Sequence, residues 1–188
     1  MIPIFEQGSG KGIGHGLDSF LQRFDEICST HLARGRAKAF AFVLYDFTND
    51  PIQKILRNKG VFTQLDRLAG KDLSVFYLHA GTRRAVEEFN AHFFSVLGVE
   101  GQATLPCVVF FRVNAGSVED VQIAALDSAD LINGFHELYG VIEAFLEQQQ
   151  SSGAAQPSRA IRWVKASSKF LSVEGLRAAL KAALDMWF

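Results

Sequence analysis

The spacing of apolar positions changes repeatedly along this chain, and each change marks an element. Leu17, Phe20, Leu21, Phe24, Ile27, Cys28 and Leu32 recur at three and four, one face of a helix that Gly35 ends. Phe40 to Phe47 is a compact apolar run and reads as a central strand. Asn49-Asp50-Pro51 then supplies a cap and a first-turn proline. Ile52, Ile55, Leu56, Val61, Phe62, Leu65 and Leu68 follow at helical spacing, with an interruption expected at Gly60. Leu73–Leu78 is the next strand, and Val86, Phe89, Phe93, Val96 and Leu97 line a helix from Arg84. Pro106 opens a strand over Cys107–Val113, Asn114–Ser117 turns, and Val118–Ala125 pairs back as a hairpin. A helix over Ala129–Glu147 buries Leu131, Ile132, Phe135, Leu138, Tyr139, Ile142 and Leu146. A last helix, Val173–Phe188, carries Leu176, Leu180, Leu184 and Trp187 on one side.

These elements divide the chain into a glycine-rich, flexible segment 1–16, a domain 17–148, a polar linker 149–158 and a C-terminal extension 159–188 with an amphipathic helix. Apolar residues make up 48% of the 188, enough for one domain's core, and 17 of them are Phe. A formal charge of −1 predicts no nucleic-acid partner. The charge is uneven, however: residues 151–188 carry net +4, which leaves −5 for the rest. Such asymmetry fits a tail folded back onto an acidic domain, or a docking surface. No run of apolar residues is long enough to span a bilayer, and no basic, then long apolar, leader opens the chain. A cytoplasmic setting with reduced thiols is therefore expected.

The order helix, strand, helix, strand, helix, strand, strand, helix requires parallel strands first and an antiparallel hairpin later, hence a mixed central sheet flanked by helices. It resembles the thioredoxin superfamily from the first helix to the last. Phe42–Phe47, ending in Asp46-Phe47, looks like the family's apolar second strand. Gly98–Val113 looks like its glycine, proline, apolar-strand segment, and Asn114–Ser117 like its hairpin turn. The resemblance implies an α/β, thioredoxin-like fold over about 17–148, with a cis bond expected at Leu105–Pro106. Where the family carries Cys-x-x-Cys, this chain has Asn49-Asp50-Pro51-Ile52, so dithiol exchange is absent.

What the resemblance leaves is main-chain recognition. The backbone before the family's cis-proline pairs with extended peptides and needs no thiol. The implied function is a non-redox protein-binding module, a chaperone, assembly factor or adaptor. It would use an edge formed by Asn49, Asp50, Pro51, Thr104, Leu105 and Pro106 to hold a protein or peptide partner, without a cofactor. The alternative is an enzyme with a single thiol, Cys107, acting as an oxidoreductase or with glutathione, which requires a lowered thiol pKa. A third reading is a homodimer built through the C-terminal segment.

Other motifs fall short of their chemistry. In Gly8–Gly16, Lys11 is followed by Gly12 instead of a hydroxyl residue, and neither Gly8-x-Gly10 nor Gly10-x-Gly12 has its third glycine, Ile13 and His15 standing there, so a phosphate loop is not expected. His15, His31, His79, His92 and His136 show no ligand spacing, and no metal site is expected.

Overall fold

In a computed structural model, the structure describes residues 2–5, 15–16, 26, 29–30, 33, 38–70, 72–79, 83–126, 130–150, 163–165 and 171–178. The described strands are β1 (Ile2–Phe5), β2 (His15–Gly16), β3 (Lys38–Leu44), β4 (Leu73–His79), β5 (Cys107–Asn114), β6 (Ser117–Ala125), β7 (Trp163–Lys165) and β8 (Leu171–Ser172). The helices are α1 (Asp50–Arg57), α2 (Lys59–Ala69), α3 (Arg83–Leu97) and α4 (Leu131–Gln150). One sheet holds the strands in the order β2-β1-β4-β3-β5-β6-β7, with β8 also on β6. β1, β4 and β3 run parallel, while β5 and β6 are antiparallel to their neighbours. The protein is thus mixed α/β, a mixed sheet with helices on both faces.

β3 shows how the sequence divides the core. Its Phe40, Phe42 and Leu44 face α3, together with Phe76, Val109 and Phe111 of the neighbouring strands. Its Ala39, Ala41 and Val43 face the other way, toward α1, α2 and α4. Successive strand residues point to opposite faces, so large and small side chains alternate between two layers. On the α3 side the rings form a continuous cluster. Phe42 lies 4.4 Å from Phe93 and 5.2 Å from Phe76 between centroids, and Phe40 lies 5.4 Å from Phe111. On the other side Phe110 stacks on Phe145 of α4 at 4.3 Å. The phenylalanine-rich composition thus supplies much of a two-layer core.

Several expected boundaries move. The helical run after Pro51 breaks at Asn58, not at Gly60. Asn58 is extended, and its side-chain oxygen accepts from the Gly60 and Val61 N–H groups, capping α2. Segment 1–16 is not wholly a loose leader: Ile2–Phe5 pairs in parallel with Phe76–His79, and His15–Gly16 pairs with Ile4–Phe5. Four residues are too few to show a period, and only the distant partner strand reveals them. α4 continues through Gln150, so the linker begins later than 149. Ile132, expected on its buried side, is 69% exposed, while Val141 and Phe145 are buried there. The first predicted helix is described only at Glu26, Ser29, Thr30 and Ala33, all helical. Cys28, the loop Gly8–Gly14 and residues 179–188 of the last helix lie outside the described residues.

The hairpin is tighter and less regular than alternation alone predicts. Asn114 pairs with Ser117, leaving Ala115 and Gly116 as a two-residue turn with φ of 48° and 84°. Positive φ at both positions is the turn that matches strand twist. Farther along, Asp120 also has positive φ (51°), and the β5–β6 register shifts between Phe110 and Arg112. This bulge in β6 lets Val118, Val121 and Ile123 all enter the α3-side core despite their uneven spacing. The C-terminal extension joins the domain at this edge: β7 and β8 pair with β6, and Val173 and Leu176 are buried in the same core.

Candidate functional site

β3 and β5 pair from Lys38↔Val113 to Leu44↔Cys107. The chain leaving β3 and the chain entering β5 therefore meet at one end of the sheet. This pairing brings 45–51 and 104–106 to a common edge and carries all six predicted binding residues. Asp50 and Thr104 are exposed, and Asn49, Pro51, Leu105 and Pro106 are half-buried. Phe47 from one segment and Leu105 from the other both pack against the α3-side core.

The segment after β3 has its main-chain oxygens committed. The Tyr45 carbonyl accepts from the Asn90 side-chain amide at 2.8 Å. The Asp46 carbonyl accepts from Asn49 N–H at 3.1 Å, and the Phe47 carbonyl from Gln53 Nε2 at 2.9 Å. The Thr48 carbonyl accepts from Asp50 N–H and the Asn49 carbonyl from Gln53 N–H. The Asp46 carboxylate adds a bond from Thr48 N–H at 2.7 Å and one from the Thr48 hydroxyl. Asn49 stands at the N-cap of α1 but does not cap it with its side chain; its Oδ1 turns back to accept from Asp46 N–H at 2.8 Å. Pro51 fits the first turn because the N–H it lacks has no partner there in any case.

The segment before β5 is the opposite. α3 ends in a left-handed glycine: Gly98 (φ 66°) donates to the Ser95 carbonyl and Val99 to the Phe94 carbonyl, with Val99 buried. Gln102 and Ala103 N–H groups then return to the Val99 carbonyl. Beyond them, among the described residues, no backbone–backbone hydrogen bond engages Thr104 or Leu105. The Leu105–Pro106 peptide is cis. The Pro106 carbonyl accepts from Leu126 N–H at 2.8 Å, which closes the ladder just above β5.

Cys107 follows immediately but faces inward. It is a free thiol with no exposed surface, and burial pushes its pKa up to about 12. A thiol so placed is a small apolar core side chain and supplies no attacking thiolate near neutral pH. The alternative assignment of catalysis to Cys107 lacks the lowered pKa it requires. Among the described residues, no group of three or more His, Cys, Asp or Glu is arranged to hold a metal, and no helix is long and apolar enough to cross a membrane.

Two contributors were not evident from sequence. Asn90 is 5% exposed on the core side of α3, where a lone polar residue between Phe89 and Phe93 was the available signal. Gln53 gives no such signal, because polar residues on helix surfaces are ordinary. Comparison with known proteins returned no match: no family model, no curated protein and no solved structure is similar enough to count.

Proposed function

We propose that this chain is a thioredoxin-like domain without dithiol chemistry, a chaperone, assembly factor or adaptor that binds an extended stretch of a partner protein in a cytoplasmic setting. The edge formed by Asn49, Asp50, Pro51, Thr104, Leu105 and Pro106 is its binding surface. One contrast carries the reading. The five carbonyls of 45–49 are spent within the protein, while the neighbouring Thr104 and Leu105 main chain has no backbone partner among the described residues. An extended peptide supplies N–H and C=O groups in the spacing such a segment needs. The Thr104–Leu105 side then provides main-chain pairing, and the exposed Asp50 with half-buried Asn49 and Pro51 provides side-chain selection. The element order from β3 to α4 and the mixed sheet support the family resemblance.

A displayed library of unstructured peptides, selected against the full chain, tests this. Leu105→Glu and Asp50→Lys are expected to weaken the selected peptides about tenfold or more, as loss of one good contact does. Arg112→Glu, at the far end of β5, should leave them unchanged. Selected peptides indifferent to both edge variants, or no peptides at all, would overturn the assignment.

A further inference from the structure

Phe47 and Leu105, one from each segment of the candidate edge, pack against the same α3-side core, and both are half-buried. Counted outward from the last β3–β5 pair, Leu44↔Cys107, they lie three and two residues beyond it. The frame around Phe47 is fixed on either side. Asp46 N–H donates to Asn49 Oδ1 at 2.8 Å, Thr48 N–H donates to Asp46 Oδ1 at 2.7 Å, and the Phe47 carbonyl accepts from Gln53 Nε2 at 2.9 Å. Leu105 is anchored one residue later, where the Pro106 carbonyl accepts from Leu126 N–H at 2.8 Å. Apolar side chains held ready and partly open to solvent cost a partner little ordering.

The charge beside them has one sign. Segments 45–51 and 98–106 contain Asp46, Asp50 and Glu100 and neither Lys nor Arg. Asp46 spends its carboxylate on the turn, accepting from the Thr48 N–H and hydroxyl. Asp50 is the outward one. Its N–H donates to the Thr48 carbonyl at 2.9 Å, so it belongs to the same turn as Phe47, and its side chain is 72% exposed. Lys54 stands 4.0 Å from it and is itself 68% exposed, a surface pair worth little and weakened by salt. The Asp50 carboxylate is therefore open to a second cation.

We propose, resting on the reading of this edge as a peptide site, that the segment it takes is both apolar and cationic. An extended stretch of the partner protein sets one aliphatic or aromatic side chain against Phe47 and Leu105 and carries a Lys or Arg beside it for Asp50. Main-chain pairing along Thr104 and Leu105 accepts any sequence, so selection falls to the side chains. Phe47 joins the site as a specificity residue beyond the six already assigned. An acidic segment meets Asp50 with like charge, and a wholly polar one leaves the two apolar side chains without a partner.

Fluorescence anisotropy of the full chain with pools of short, unstructured peptides tests this. Three pools centre on Leu and flank it with Lys, Ser or Glu; another keeps the Lys flanks and centres on Ser. The Lys-flanked Leu pool is expected to bind about fivefold tighter than the Ser-flanked one, the limit for an exposed ion pair. It should bind about tenfold tighter than the Ser-centred pool. Added salt should erase the first margin and leave the second. Asp50→Lys should move the preference to the Glu-flanked pool. Phe47→Ser should remove the margin of Leu over Ser and keep the order of Lys over Glu. Equal binding of the Lys-, Ser- and Glu-flanked pools, an order unmoved by Asp50→Lys, or no margin for Leu over Ser overturns the proposal. The pool order of the parent decides alone if Phe47→Ser does not fold. Leu105→Glu, read with the uncharged Ser-flanked pool, separates the two levels. If it weakens binding by pools that show no preference, the edge stands and its selectivity falls. If no pool binds, or binding is indifferent to Leu105→Glu, the edge itself falls and the selectivity with it.

Discussion

Asn90 Nδ2 donates to the Tyr45 carbonyl at 2.8 Å, joining the middle of α3 to the residue where β3 has just ended. The bond is buried and reaches across 45 positions of sequence. It stops the Tyr45 carbonyl from being stranded in a core of phenylalanine, and it sets the direction in which the chain leaves the sheet toward Asn49.

Replacing Asn90 by Leu or Ala should therefore cost about 1–3 kcal/mol, because it removes the buried side-chain amide that donates to the Tyr45 carbonyl. Asn90→Asp should fare no better, since an ionised carboxylate only accepts. Urea unfolding of the three variants checks this. Equal stability to the parent would show that the carbonyl finds another donor.

Alkaline pH should destabilise the protein through groups that burial keeps protonated. Burial raises the Cys107 thiol from 9.0 to about 12 and the Tyr45 hydroxyl from 10.0 to about 12. Tyr77 rises likewise, to about 12, first through burial and then through the charge of Tyr45. A raised folded pKa means that the folded chain holds its proton more tightly. The contribution is complete below pH 9.0 and is lost as pH climbs toward 12. Cys107→Ala should flatten the first part of that decline in denaturant titrations at stepped pH. In the folded parent, Cys107 should also resist an aromatic disulfide reagent at pH 8.

Ala115 occupies a backbone conformation that suits Asn or Gly better, at φ 48° in an exposed turn. Ala115→Asn should raise stability by about 0.5–1 kcal/mol, since Asn-Gly is the preferred pair for this turn. Thermal unfolding would read this as a higher midpoint, and a lower one would sink the turn assignment.

The two faces of β3 should respond oppositely to size. Phe42→Ala empties a space between Phe76 and Phe93 and should cost about 3–5 kcal/mol. Ala41→Leu adds volume where α1 and α4 leave room for a methyl group and should cost about 1–3 kcal/mol. Chemical denaturation of both variants distinguishes this arrangement from a core with uniform tolerance.

What was legible in the sequence followed local pattern. β4, α3, β5 and the Asn114–Ser117 hairpin lie within a residue or two of their expected limits, because period and turn chemistry are properties of neighbouring residues. β3 ends at Leu44, not Phe47, because Asp46 and Asn49 bond to each other and turn the chain. β1 and the bulge at Asp120 depend on partners far away and leave little local trace. The six candidate edge residues came from family resemblance. Of the bonds that commit 45–49, those to the Asp46 and Thr48 carbonyls are local turns, whereas those to Tyr45, Phe47 and Asn49 come from Asn90 and Gln53 on two separate helices and leave no local trace.

The alternation of Phe and Ala along β3 also makes its alignment self-checking. Slipping β3 by one position against β4 and β5 would push Phe40 and Phe42 into the layer sized for Ala39 and Ala41, and put methyl groups where the rings belong. Overcrowding and void would arise together, so the misaligned chain has no compact state to settle in.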